Sequence, residues 1–306
     1  MLKDVIIFII SLFFLIKGSD KFTEYLKIIG IKLRVKDFVI SLILASIATT
    51  LPEIIVSIIS SLKGNSNLAL GNALGSVIVN TALILGICSL ISPMKVDDLA
   101  WKNSFFLLFI NFLLFLLMFD MKISRFEGFI LLILYAIFIY IIYRVKGDNK
   151  SENYQDQNSA IKIFILMILS IGVVIVSSRF LVESSINIAR FLNISELIIG
   201  LTLVALGTSL PELANSVIST IKKVPDIGVG NIIGASILNV LVVIGIASII
   251  NPIKVDQKFI TYIMPVILIT LLALSISLKR DNIIGKKTGL ILLSLYFISI
   301  ILNFIF

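Results

Sequence analysis

Long apolar runs alternate with short polar connections from one end of this chain to the other. A helix needs about 20 apolar residues to cross the roughly 30 Å hydrocarbon core of a bilayer. Runs that meet or approach this length are read near 3–27, 37–62, 69–91, 103–120, 126–143, 161–188, 196–221, 228–250, 259–278 and 288–306. The pattern predicts an all-α polytopic membrane protein with ten transmembrane helices. The one clearly polar stretch, Gly147 to Ser159, divides them five and five. It is too polar and too short to fold alone, so residues 1–146 form a first five-helix unit, 147–160 a linker and 161–306 a second unit. Val5 to Ile16 behind Lys3 has the look of a signal peptide, but no small-x-small cleavage site follows it. Its counterpart Ile161 to Val176 lies in mid-chain, so both are read as ordinary spans.

That counterpart belongs to an internal repeat. Ala48-Thr49-Thr50-Leu51-Pro52-Glu53 recurs as Gly207-Thr208-Ser209-Leu210-Pro211-Glu212, 159 positions later. At the same offset Gly71-Asn72 becomes Gly230-Asn231, Gly75 becomes Gly234, Asn80 becomes Asn239 and Gly86 becomes Gly245. Pro93-Met94-Lys95-Val96-Asp97 returns as Pro252-Ile253-Lys254-Val255-Asp256, with no insertion between. A unit with an odd number of spans forces its copy to cross the bilayer in the opposite sense. The repeats are therefore inverted, an arrangement tied to secondary transporters whose site lies at the midplane.

Composition agrees with lipid as the solvent: 58% of the 306 residues are apolar and 14% charged, and the mean hydropathy is +1.12. There is no His and only Cys88, which excludes His-dependent catalytic groups, a His-ligated zinc site and an internal disulfide. The net charge of +8 resides in the short connections, where it encodes topology and not nucleic-acid binding. With both termini outside, 18 of the 26 Lys and Arg residues fall on the inner side, the arrangement expected of a multi-pass protein of the plasma membrane. Trp101 reads as an interfacial anchor.

Glu53 and Glu212 lie deep in apolar helices, where a charge costs at least about 2.5–3.5 kcal/mol. Either they are protonated and bonded to one another across the repeat interface, or cations neutralise them. No Lys or Arg in the neighbouring spans is placed to do so. Pro52 and Pro211 each clash with the carbonyl four residues back, at Ala48 and Gly207, and so break the helix just before the carboxylate. Thr49, Thr50, Thr208 and Ser209 add hydroxyls, which either face the site or bond back to their own helix. An oxygen-only donor set suits a hard cation such as Ca2+ or Na+. In the next helix of each half, glycines four apart, Gly71 and Gly75 or Gly230 and Gly234, permit close helix packing. Ser76 and, one turn on, Asn80 share a face, and Asn80 and Asn239 are buried amides that contact either an ion or water, or another helix.

At these residues the chain resembles the sodium/calcium exchanger family of the calcium:cation antiporters, whose hallmark is a pair of inverted repeats with a G-T/S-S-x-P-E-type helix followed by a G-N-x-x-G-S-type helix. The resemblance implies Na+ and Ca2+ as transported substrates in a lipid bilayer, with no cofactor, no obligate protein partner and no enzymatic activity. It implies Glu53 and Glu212 as central ligands, helped by Thr49, Thr50, Thr208, Ser209 and backbone carbonyls near Ser46 and Ala205. It further implies polar contributions from Asn80 and Asn239, with Ser76 and Ser236 beside them. Sliding of the helices at 3–27 and 161–188 would give alternating access. The chain departs from the family pattern at Ala48, where Gly is usual, at Thr50, where Ser is common, and at Ala235, which lacks the hydroxyl of Ser76. Asn239 stands where potassium-dependent relatives carry Asp, which argues against a potassium co-substrate. Proton-coupled antiport through the same glutamates is the alternative, and an intramembrane hydrolase or a passive channel fits the motifs less well.

Overall fold

A backbone polar group left unpaired in hydrocarbon costs several kcal/mol, so apolar runs of this length have to fold as helices. The computed structural model describes residues 2–32, 45–144 and 160–305. In the first half, α1 (Leu2–Lys32) precedes α2 (Ala45–Thr49), which gives way at Thr50 to α3 (Leu51–Leu62). Next come α4 (Ser66–Ile91), α5 (Asp98–Asp120) and α6 (Arg125–Arg144). The second half repeats the order. It comprises α7 (Ala160–Leu192), α8 (Glu196–Thr208), α9 (Leu210–Ile221), α10 (Pro225–Ile250), α11 (Phe259–Asp281) and α12 (Lys286–Ile305), with a bend of 46° between α8 and α9.

Two helices outrun the expected spans, α1 to Lys32 and α7 to Leu192, where Ile28, Ile29 and Ile31 or Phe191 and Leu192 continue the apolar pattern past the charged residues that suggested an end. Ala160 opens α7 and so is no part of the linker, and the rest of the expected linker lies outside the described residues, as does part of the expected run at 37–62. Among the described residues, six helices are long and apolar enough to cross a membrane, or seven if α8 and α9 count as one span. The expected count of ten exceeds this.

Four two-residue strands, absent from the sequence reading, pair the connections. β1 (Met94–Lys95) runs antiparallel to β4 (Ile283–Ile284), and β2 (Lys122–Ile123) to β3 (Ile253–Lys254). Each pair joins one half of the chain to the other. Around β1 and β4, Asp226 accepts from the Asp97 amide at 2.8 Å and Asn282 donates to Asp98 at 2.7 Å. Around β2 and β3, Ser66 donates to the Asn251 carbonyl at 3.4 Å. The connections therefore sort into two sets at opposite ends of the bundle.

The main apolar core belongs to neither half alone. Leu74, Val77 and Leu85 pack with Ile237, Leu241 and Ile267. A second cluster joins α1 to α7 through Leu15, Phe22, Val174 and Leu181. One close backbone crossing in the main body is between α4 and α8. A Cβ built on Gly71 would lie 2.6 Å from the Leu197 carbonyl oxygen, and one on Gly75 would lie 2.6 Å from that of Leu201. The same turn ends α3 and α9: Gly64 and Lys223, 159 apart, both have positive φ, at 80° and 59°. Only the glycine adopts that conformation without steric cost.

Candidate cation site

The two helix breaks are built alike. Thr50 and Ser209 depart from helical geometry, with φ/ψ of −83°/0° and −87°/7°. Pro52 and Pro211 then occupy the first turn of the following helix, where a missing N–H costs nothing. The turn itself stays closed. The Ser46 carbonyl accepts from the Thr50 amide at 3.0 Å, and the Ala205 carbonyl from the Ser209 amide at 3.0 Å. The same two carbonyls also accept from the hydroxyls of Thr49 at 3.3 Å and Thr208 at 3.2 Å. The carbonyls that the resemblance implies near the site, at Ser46 and Ala205, thus each accept bonds within their own turns. The Ala48 carbonyl, released by Pro52, is taken by the Ser19 hydroxyl of α1 at 3.2 Å. Its repeat counterpart to Ser19 is Ser178, whose buried hydroxyl has no partner among the described residues.

These breaks place Glu53 and Glu212 at the start of α3 and α9, both with no exposed surface and near enough for their charges to act on each other. Among the described residues no Lys or Arg is buried. Ser209 donates to Glu53 Oε1 at 3.3 Å across the repeat interface. Glu53 Oε2 and both carboxylate oxygens of Glu212 meet no donor in good hydrogen-bond geometry among the described residues, while the Thr208 hydroxyl acts on Glu53 and the Thr49 hydroxyl on Glu212. The buried polar side-chain atoms of Ser46, Thr50, Ser76, Asn80 and Asn239 likewise have no hydrogen-bond partner among the described residues. Buried polar groups are ordinarily paired, so these unpaired oxygens make the two breaks a candidate site. Ser236 differs, since its hydroxyl donates back to the Ile232 carbonyl at 2.8 Å, which leaves its oxygen lone pairs available.

Asn80 and Asn239 lie on wide π turns, Val79–Ile84 and Asn239–Val243, which interrupt α4 and α10 at matching places. Such turns frequently occur at functional positions, and nothing in the apolar pattern marks them. The sequence reading also passed over Asn72. Its buried amide donates to Ser57 at 3.0 Å and to the Glu53 carbonyl at 3.3 Å, while its oxygen accepts from Thr208 at 3.2 Å. One side chain thereby holds α3, α4 and α8 together beside the carboxylate. In the other half, Thr49 reaches Asn231 at 3.4 Å. The repeat offset links Asn72 to Asn231 and Ser57 to Ser216, which is the signal that could have found them.

The sequence profile of the sodium/calcium exchanger protein family matches residues 3–144 and 162–305, nearly the whole chain. The chain belongs to the sodium/calcium exchanger family. Within this family it is 29% identical over 347 residues to the sodium/calcium exchanger MaX1 of Methanosarcina acetivorans, covering 98% of each chain. It is 31% identical to the inner membrane protein YrbG of Escherichia coli, over 84% of this chain and 82% of that one. Among solved structures, the sodium-calcium exchanger NCX_Mj soaked with 10 mM Na+ and zero Ca2+ superimposes with a TM-score of 0.70 at 32% identity, covering 97% and 98% of the two chains. The all-helical architecture and the duplicated family match agree with this exchanger assignment.

Proposed function

We propose that this chain is a secondary antiporter that exchanges Na+ for Ca2+ by alternating access, with Glu53 and Glu212 as its central ligands. The observation that carries this is the pair of wholly buried carboxylates on matched helix breaks, with no buried cationic side chain among the described residues to balance them. One Ca2+ or two Na+ offset two negative charges where leaving them uncompensated is expensive. The unpaired oxygens of Thr50, Ser76, Asn80 and Asn239 supply further hard donors beside them. An empty, ionised site resists rearrangement in a low dielectric, and an occupied one does not, so exchange is obligatory.

Ten spans in two inverted units, 1–146 and 161–306 joined by a cytoplasmic linker, with both termini outside in the plasma membrane, complete the proposal. The partition of connections supports it: residues near 94, 226 and 283 group at one end of the bundle, and residues near 66, 122 and 253 at the other. An odd number of spans per unit accounts for that grouping. The apolar cluster that joins α1 and α7 to Val56, Leu68 and Val204 stands apart from the main core, which supports these two helices as the moving pair.

Proteoliposomes loaded with Na+ and diluted into Na+-free buffer are expected to accumulate radiolabelled Ca2+, and K+-loaded ones are not. Uptake driven by a pH gradient without Na+ would replace this mechanism with proton coupling. Alternation also gives the Ser19 bond a direction. In the mirror arrangement Ser178 takes the Gly207 carbonyl and Ser19 loses Ala48. Ser19→Ala is therefore expected to shift the balance away from the present arrangement by about fivefold, the worth of one hydrogen bond of about 1 kcal/mol. Ser178→Ala is expected to shift it the other way. Hydrogen–deuterium exchange of α1 reads both, and changes of the same sign in the two variants would refute a state-dependent bond.

A further inference from the structure

α5 and α11 occupy equivalent places in the two repeats and run side by side, leaving between them a groove of about 370 Å3 that opens outward. It is lined by Phe105, Phe109 and Phe112 from α5 and by Leu268, Ile269 and Leu272 from α11. Phe109, Phe112, Ile269 and Leu272 are each about half exposed, so the groove is apolar and unfilled by the protein's own side chains. At the end of the bundle that carries β1 and β4, two ammonium groups stand over it. Lys279 lies 5.7 Å from the centre of the Phe105 ring, itself a lining residue. Lys102 lies 5.7 Å from the Trp101 ring, which meets Phe105 edge-on at 6.0 Å.

Neither lysine has an ion-pair partner among the described residues. The neighbouring acids are otherwise engaged. Asp281 faces Arg280 at 3.7 Å, and Asp98 accepts from Asn282 at 2.7 Å. The duplication supplies an internal comparison for the charge. At the opposite end of the same helix pair, the positions equivalent to Lys102 and Lys279 hold Thr261 and Asp120. The basic pair is therefore no consequence of the shared fold, and it occurs at one end only.

From this juxtaposition we infer that the groove between α5 and α11 seats an anionic phospholipid, with an acyl chain along Phe105, Phe109 and Leu272 and its phosphate on Lys102 and Lys279. A phosphate-bearing headgroup matches two aromatic-backed ammonium groups at the hydrocarbon boundary, and each basic residue near a membrane surface favours an anionic lipid severalfold. A zwitterionic lipid fills the groove equally well but offers no net charge. Such a lipid bridges the two repeats across their pseudo-twofold relation, and it lies outside the carboxylate site.

The test is native mass spectrometry of the full-length protein in detergent, titrated with phosphatidylglycerol or with phosphatidylcholine of the same acyl chains. Phosphatidylglycerol is expected to bind in preference, and the Lys102→Gln/Lys279→Gln variant to lose that preference by a factor on the order of thirty. Leu272→Trp, which fills the groove and keeps both charges, is expected to weaken both lipids. Glycerol phosphate, which has the headgroup charge and no chain, is expected not to compete. Equal binding of the two lipids, an unchanged preference in the double lysine variant, or full competition by glycerol phosphate would each overturn the assignment. The Lys122→Gln/Lys254→Gln variant at the other end serves as the charge control, and loss of the preference there as well would also overturn it.

Discussion

Replacing Glu53 or Glu212 with Gln is expected to lower Na+-driven Ca2+ uptake by about 150- to 5,000-fold while leaving the fold intact. Gln keeps the shape and volume of the side chain and removes one charge, so the packing of α3 or α9 is undisturbed. Removing one partner from a buried charge-compensated group costs about 3–5 kcal/mol, which corresponds to that loss of affinity. Two measurements separate the effect from misfolding. In proteoliposomes the uptake falls to background, and in detergent the rise in melting temperature that Ca2+ gives the parent protein disappears. The melting temperature without Ca2+ is expected to stay the same or to rise, since a carboxylate that has no cationic partner among the described residues is replaced by a neutral amide. Transport that survives in either variant would place the ion elsewhere.

The second large effect falls on the fold. Gly75→Val is expected to prevent α4 and α8 from meeting, with a loss of about 1–3 kcal/mol or more and a marked drop in monodisperse protein on size exclusion. At Gly75 an added Cβ would lie 2.6 Å from the Leu201 carbonyl oxygen and 2.7 Å from the Ala205 side chain. The obstacle is largely backbone, which cannot swing aside. Gly71 and Gly200 stand in the same crossing, at 2.6 Å from the Leu197 carbonyl and 2.7 Å from the Leu68 carbonyl. Because the crossing also brings Asn72 to Thr208, any Gly75 variant that does fold is expected to bind Ca2+ more weakly. Gly172→Ala is the control, since nothing lies within 4 Å of its added carbon. Relief from glycine's poor helix propensity makes that change neutral or stabilising by up to about 1 kcal/mol.

Much of this architecture could be read from residue spacing because a bilayer leaves a chain few options. Apolar length specifies helices, and a register kept at a constant offset of 159 positions reveals the duplication. The carboxylates were visible for the same reason, since an acid in hydrocarbon demands a partner or a proton. What escaped the sequence depended on contacts between elements. Asn72 looked like part of a packing motif until Thr208, 136 positions away, was seen donating to it. The proline clash correctly located each break, yet the carbonyl it released at Ala48 proved to be occupied by Ser19, whose partner no spacing rule supplies. The π turns under Asn80 and Asn239 are single-residue adjustments of hydrogen bonding, and they leave the apolar pattern unchanged.

The shared core carries an evolutionary consequence. Leu74, Val77 and Leu85 find their partners in Ile237, Leu241 and Ile267 of the other half, and the short strands likewise pair first half with second. A chain half as long would have no interior of its own. A single unit of this sequence could bury that surface only against a partner of the same kind. The two halves have diverged at single positions, so that the place held by Ser76 in one is held by Ala235 in the other, and that of Lys279 by Asp120.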